Sequence, residues 1–402
     1  MRSGMSEPVS RRTVLSSGVA AGAALAGGPV LSASAGAAGP DDGAEVADGE
    51  RVRARALGVE PGEFDPGPEN AITDVEGVQV GQVTLNEGDD IRTGVTAIRP
   101  HAGNTFQEKV AGAVFVGNAF GKLAGSTQVQ ELGTIETPIV LTNTLSVGRA
   151  LDATVGWTLQ QPGNESVRSV NALVGETNDG RLNDIRGRHV TEDDVVRAIE
   201  AASDGAVEEG AVGAGTGTVS FGWKAGIGTS SRVLPDGDGG HTVGVLVQAN
   251  YGGNLTIAGV PVGDELEPPS SAAEGSSADG SCMVVVATDA ALTSRDLERL
   301  AARAMFGLGR TGSSYSNGSG DFAIAFSTSP EVRVHDGADE PQQRRLLPTS
   351  AMSPLFQAAL ETTEEAVYNA LFMATTTTGS GSTYEAIPLN EVRRLLRRYG
   401  RL

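Results

Sequence analysis

The chain has 402 residues, 39% of them hydrophobic and 20% charged, a balance that supports a folded core and excludes both wholesale disorder and a multi-span membrane protein. Acidic residues outnumber basic ones to leave a net charge of −20, so most of the surface repels phosphate and nucleic acid is not an expected partner. The single cysteine, Cys282, excludes an internal disulfide, and four scattered histidines (His101, His189, His241 and His335) give no zinc-ligand spacing, so no metal centre is expected.

Residues 1–38 read as an export signal. Ser10-Arg11-Arg12-Thr13-Val14-Leu15 opens a weakly hydrophobic stretch that ends in the small residues around Ala33 and Ala35, the pattern of a twin-arginine signal for proteins exported already folded. The expected location is therefore periplasmic or extracellular, the alternative being an uncleaved anchor. Residues 39–68 are acidic and rich in Gly and Pro without an apolar period, and read as a flexible, solvated leader.

Residues 69–402 read as one α/β domain, because apolar β-type runs alternate with periodic helices and no long linker divides them. Strands are expected at 77–83, 112–116, 139–141, 169–174, 242–248, 283–288 and 322–327. Thr191 with Asp194, and Thr293 with Asp296, have the spacing of capping boxes and start two amphipathic helices. A third helix is expected over residues 354–374.

Residues 264–279 carry prolines, serines and acids in a composition that cannot pack a core, and read as an exposed loop. The chain then changes abruptly, through Gly280-Ser281-Cys282, into the apolar run Met283-Val284-Val285-Val286-Ala287. A hydroxyl between a loop and a buried strand suits a nucleophile exposed by self-cleavage: Ser281 Oγ attacks the Gly280 carbonyl, the amide becomes an ester, and water cuts it. The new α-amine of Ser281, with a reference pKa of about 7.7–8.0, then serves as its own general base. A plain turn before a strand is the other reading of the same pair.

Three further segments bear on the choice. Ile72-Thr73-Asp74-Val75-Glu76-Gly77-Val78-Gln79-Val80-Gly81, Gly280-Ser281 before Val284-Val285-Val286-Ala287-Thr288-Asp289, and Arg310-Thr311-Gly312 leading to Asn317-Gly318-Ser319-Gly320-Asp321 occur in that order. Together they resemble the P1 family of self-processing serine aminopeptidases, which includes L-aminopeptidase/D-amidases, β-peptidyl aminopeptidases and a pantetheine hydrolase. The resemblance runs from about residue 70 to 379 and takes in Asn369-Ala370-Leu371-Phe372-Met373-Ala374.

The resemblance implies a four-layer αββα sandwich, like that of N-terminal-nucleophile hydrolases with its own connectivity. It implies cleavage between Gly280 and Ser281 into two chains that stay together, and a homo-oligomer of such pairs. Ser281 matches the nucleophile and Asn250 the amide that holds the oxyanion. Glu176, in Gly175-Glu176-Thr177-Asn178-Asp179-Gly180, matches the acid that receives the substrate ammonium, with Asn178 beside it where some members carry Tyr. Ser319 and Asp321 match a hydrogen-bonded relay in which the acid is often Glu, one methylene longer than here.

The implied activity is release of N-terminal residues from short peptides, amides or esters through an acyl-enzyme, without a cofactor, nucleic acid or stable membrane partner. Two rivals stand beside it: an amidohydrolase of a pantetheine-like amide, and an uncleaved extracellular binding protein. Strand alternation turns Cys282 away from Ser281. Gly213-Ala214-Gly215-Thr216-Gly217 lacks the spacing of a nucleotide loop and reads as tight backbone.

Overall fold

Strands apolar at nearly every position, such as the run after Ser281, are stable only where both of their faces are covered. The computed structural model describes residues 46–47, 49–269 and 280–402 and shows what covers them. The export segment and the tip of the 264–279 loop lie outside the described residues.

In chain order the first elements are β1 (Gln79–Glu87), β2 (Ile91–Arg99), β3 (Glu108–Ala119), β4 (Leu123–Ala124), α1 (Ser126–Leu132), β5 (Thr134–Ile135), β6 (Ile139–Asn143), α2 (Val147–Leu159), β7 (Leu173–Thr177) and α3 (Glu192–Glu200). There follow β8 (Val219–Ser220), β9 (Trp223–Lys224), β10 (Ile227–Val233), β11 (Thr242–Asn250), β12 (Ser281–Thr288), α4 (Ser294–Arg310), β13 (Gly320–Ser327), β14 (Val334–His335), α5 (Ser353–Phe372) and α6 (Leu389–Arg398).

Two sheets stack face to face. One runs β1-β2-β6-β7-β4, the other β10-β11-β12-β13-β3-β14 with β5 beside β3. The parallel pairs are β6–β7 and β12–β13, the latter joined by the crossover helix α4. Ile98, Leu141, Leu173, Leu246, Met283, Val285 and Ile324 fill the space between the sheets. Helices α2 and α3 cover the outer face of the first sheet through Ala150, Ala153, Val195 and Ile199. Helices α4, α5 and α6 cover the second through Leu297, Leu300, Leu355, Val367 and Leu396. The result is the expected αββα sandwich. Alternation along β12 sends Cys282, Val284 and Val286 to the helices and Met283, Val285 and Ala287 to the sheet interface.

Both expected N-caps are present: Thr191 and Thr293 accept from Asp194 N and Asp296 N. Each contributes about 1 kcal/mol. The expected strand over 169–174 begins later, at Leu173, because Asn171 donates its backbone and side-chain N–H to Glu136 Oε1 at 2.7 and 3.0 Å and so leaves the ladder.

The leader reading is corrected for the described part of 39–68. Ala54, Leu57 and Val59 are fully buried, and Arg51 donates to the carbonyls of Phe372 and Ile387 at 2.6 and 3.0 Å, capping the end of α5. Composition concealed this, since the apolar residues are few and the arginines that flank them are spent on buried acceptors. Behind them Arg232 of β10, completely buried, meets Glu365 and Glu361 of α5 at 2.7 and 3.3 Å. These pairs tie segments on either side of the Gly280–Ser281 bond, and removing one partner of such a buried set costs about 3–5 kcal/mol.

Candidate active site

Strand pairing builds the site. The antiparallel register of β11 and β12 sets Asn250 directly opposite Ser281, and the parallel register of β12 and β13 sets Gly320 on its other side. From the first sheet the end of β7 brings Glu176, with Asn178 just beyond. Ser281, Gly280, Asn250, Glu176 and Asn178 line one cleft of about 620 Å³.

Ser281 is 6% exposed, and its Oγ accepts the Gly320 N–H at 3.2 Å. Gly280 has no room for a side chain: a Cβ there would lie 2.2 Å from Asn250 O and 2.7 Å from Tyr251 Cα. Space is thus a requirement for glycine at the junction. Asn250 is held at both ends, Oδ1 accepting from Val219 N at 3.0 Å and Nδ2 donating to Asn178 O at 3.1 Å. Its orientation is therefore set by the β8–β9 hairpin and by the backbone after β7.

Glu176 is buried, yet one carboxylate oxygen faces Lys122, accepting its backbone N–H at 3.0 Å with Nζ at 3.6 Å. The other oxygen accepts the Thr144 hydroxyl. The Lys122 side chain is more than half exposed, so solvent screens this pair and Nζ holds the carboxylate only weakly. The Asn178 side chain turns back to accept Gly180 N at 3.0 Å, so toward Asn250 this residue presents its carbonyl.

Ser319 donates to Asp321 Oδ1 at 2.8 Å, while Asp321 Oδ2 has no hydrogen-bond partner among the described residues. A bulge between Asp321 and Phe322 leaves Gly117 as the extra residue of β3, and Asp321 pairs with Cys282 on the helix side of the sheet. The Ser319–Asp321 pair therefore meets Ser281 through the intervening Gly320 N–H. Burial pushes the Asp321 carboxyl up to about 6, against the pull of the Ser319 hydroxyl and the Cys282 N–H. Below that pH the carboxylate is protonated and no longer an ionised acceptor for Ser319. Below the limb set by the Ser281 α-amine expected as general base, a second fall in kcat/KM is accordingly expected near pH 6, and Asp321→Asn is expected to remove that second step. A wild-type profile that falls with a single proton between about pH 8 and 4.5 contradicts this assignment.

Burial, with Asp321 nearby, pushes the Cys282 thiol well above its usual range, so it is not a ready thiolate. Gly215 and Gly217 lie where a Cβ would meet Ile227 N at 2.4 Å and Arg92 O at 2.1 Å, the tight backbone expected of that segment. Thr144, Lys122, Asn118 and the Gly320 and Val219 N–H groups escape sequence reasoning. Backbone donors carry no residue signature, and Asn118 acts on carbonyls of the 316–319 turn.

A hydroxyl at the start of a central strand, an amide opposite it and a buried acid across the cleft, on an αββα sandwich, define a serine hydrolase of peptide or amide bonds. The chain belongs to peptidase family S58, whose sequence model matches residues 70–384. It is 41% identical over 384 residues to β-peptidyl aminopeptidase BapA of Sphingosinicella microcystinivorans, covering 89% of this chain and 95% of that protein. Among solved structures it is similar to a Burkholderia sp. β-aminopeptidase, with 40% identity, a TM-score of 0.80 and 87% and 99% of the two chains covered. It is likewise similar to the L-aminopeptidase D-Ala-esterase/amidase of Ochrobactrum anthropi, with 38% identity, a TM-score of 0.81 and 87% and 99% covered. That enzyme is described as a prototype serine aminopeptidase and a variant of the Ntn hydrolase fold.

Proposed function

We propose that this chain is an exported aminopeptidase that cuts itself between Gly280 and Ser281 and uses the freed Ser281 to release N-terminal residues from short peptides, amides or esters. The observation that carries the reading is the convergence of Ser281, Asn250 and Glu176 on one cleft from two different sheets. In maturation Ser281 Oγ attacks the Gly280 carbonyl carbon. The C–N bond breaks, its nitrogen takes the hydroxyl proton, and water hydrolyses the resulting ester.

In turnover the same oxygen attacks the substrate carbonyl and passes its proton to the Ser281 α-amine. The Asn250 amide stabilises the developing oxyanion, while the Gly320 N–H holds the attacking Oγ. The leaving amine departs with the proton, and water then releases the acyl group. The Glu176 carboxylate receives the substrate ammonium, which makes the enzyme read a chain end. The two chains stay together through contacts such as Arg232 with Glu361 and Glu365 and assemble as a homo-oligomer.

Paired assays of free and N-acetylated aminoacyl anilides test the exopeptidase reading. Acetylation is expected to cost about 10²-fold in kcat/KM, the scale of a desolvated charge pair, and Glu176→Gln is expected to erase most of that difference. Comparable rates on both substrates in the wild type would instead favour an amidohydrolase of pantetheine-like amides.

A further inference from the structure

We propose that a contact between two glycines, Gly121 and Gly320, sets the gap between the ammonium anchor and the nucleophile, and so selects how many carbons separate the substrate amine from its scissile carbonyl. The inference rests on the roles given above to Glu176 and Ser281.

Gly121 lies in the short link between β3 and β4. A Cβ there would sit 3.1 Å from Gly320 Cα and 3.3 Å from Glu176 Oε1. A Cβ on Gly320 would sit 2.9 Å from both Gly121 Cα and Phe120 O. No left-handed φ is involved at either position, so space and not backbone conformation demands glycine. Each glycine is one bond away from a working group: Lys122, next in chain after Gly121, donates to Glu176, and Gly320 donates to Ser281 Oγ.

The contact is locked. Phe120 N donates to Ser319 O at 3.0 Å, and Asn118 Nδ2 donates to Ser316 O at 2.9 Å, so the two segments move together. Below them the sheets are pinned. A Cβ on Gly175 would lie 2.9 Å from Met283 Sδ, and the buried Gln248 of β11 donates through Nε2 to Thr142 O, Thr177 Oγ1 and Ala214 O at 3.1, 2.9 and 2.9 Å. The gap is therefore rigid. A substrate amine seated on Glu176 presents its carbonyl to Ser281 only if its own length matches, and a misplacement of about 1 Å costs on the order of 10²-fold in rate. One methylene is a step of that size.

The test is a series of p-nitroanilides of alanine, β-alanine and 4-aminobutyrate, assayed on processed enzyme with intact mass confirming the cut. The wild type is expected to show one steep optimum, at least about tenfold above its neighbours. Gly121→Ala forces Glu176 and Gly320 apart by a few tenths of an ångström, and is expected to raise the ratio of longer to shorter acyl group by about threefold to tenfold, with Gly121→Val going further. A flat wild-type profile overturns the proposal without any variant, and so does a Gly121→Ala enzyme that loses the same fraction of rate on all three substrates. If N-acetylated anilides react as fast as free ones, the anchor itself is wrong and the functional reading falls first.

Discussion

Ser281→Ala is expected to remain a single full-length chain and to lose turnover by about 10⁴–10⁶-fold, the range for removing a serine nucleophile. Both losses follow from one atom. Ser281 Oγ sits at the junction it is proposed to cut, and Ser281 lines the same cleft as Asn250 and Glu176. Intact mass reads the first effect and anilide hydrolysis the second. Cys282→Ser is the matching control: its thiol lies on the helix face of β12, so this variant is expected to process and turn over nearly as the wild type does. A Ser281→Ala enzyme that appears as two fragments and is active would place the nucleophile elsewhere, and the whole assignment with it.

Asn250→Ala is expected to lower kcat by about 10²–10³-fold with a much smaller change in KM, because an oxyanion donor acts on the charge that develops in the transition state. Truncation also frees Val219 N and Asn178 O, so a general loosening has to be separated from the electrostatic effect. Asn250→Asp makes the separation. It keeps the shape and an acceptor for Val219 N, but replaces the N–H donor with negative charge, and is expected to be at least as damaging as alanine. Recovery of activity in Asn250→Asp, measured as kcat on processed enzyme, would falsify the oxyanion role.

Elements were legible where local chemistry defined them. Thr191 with Asp194 and Thr293 with Asp296 are caps because a hydroxyl three residues before an acid satisfies free N–H groups wherever it occurs. Strand β10 was not legible, because its buried residues are polar: Ser230, Ser231 and Arg232 are satisfied by Asn70, Asp74, Glu361 and Glu365, all distant in sequence. Helix α2 is interrupted in pattern by Gly148 and Gly156, and α6 is hidden by its arginines. The leader failed for the same reason as β10. Its three buried apolar residues have meaning only once α5 is there to receive them.

The site divides along the same line. The Gly280–Ser281 junction and the apolar run after it are visible in a string of letters, because a composition change and a small residue before a hydroxyl are local facts. The motifs around Glu176, Asn250 and Ser319–Asp321 mark the candidates but not their relation. That Asn250 stands across from Ser281, that Glu176 reaches the same cleft from the other sheet, and that Asp321 pairs with Cys282 on the helix side are outcomes of strand register. Register arises from packing between segments far apart in the chain. The Gly320 N–H and the Gly121–Gly320 contact belong to the backbone, which every residue shares, so only the folded arrangement gives them a role.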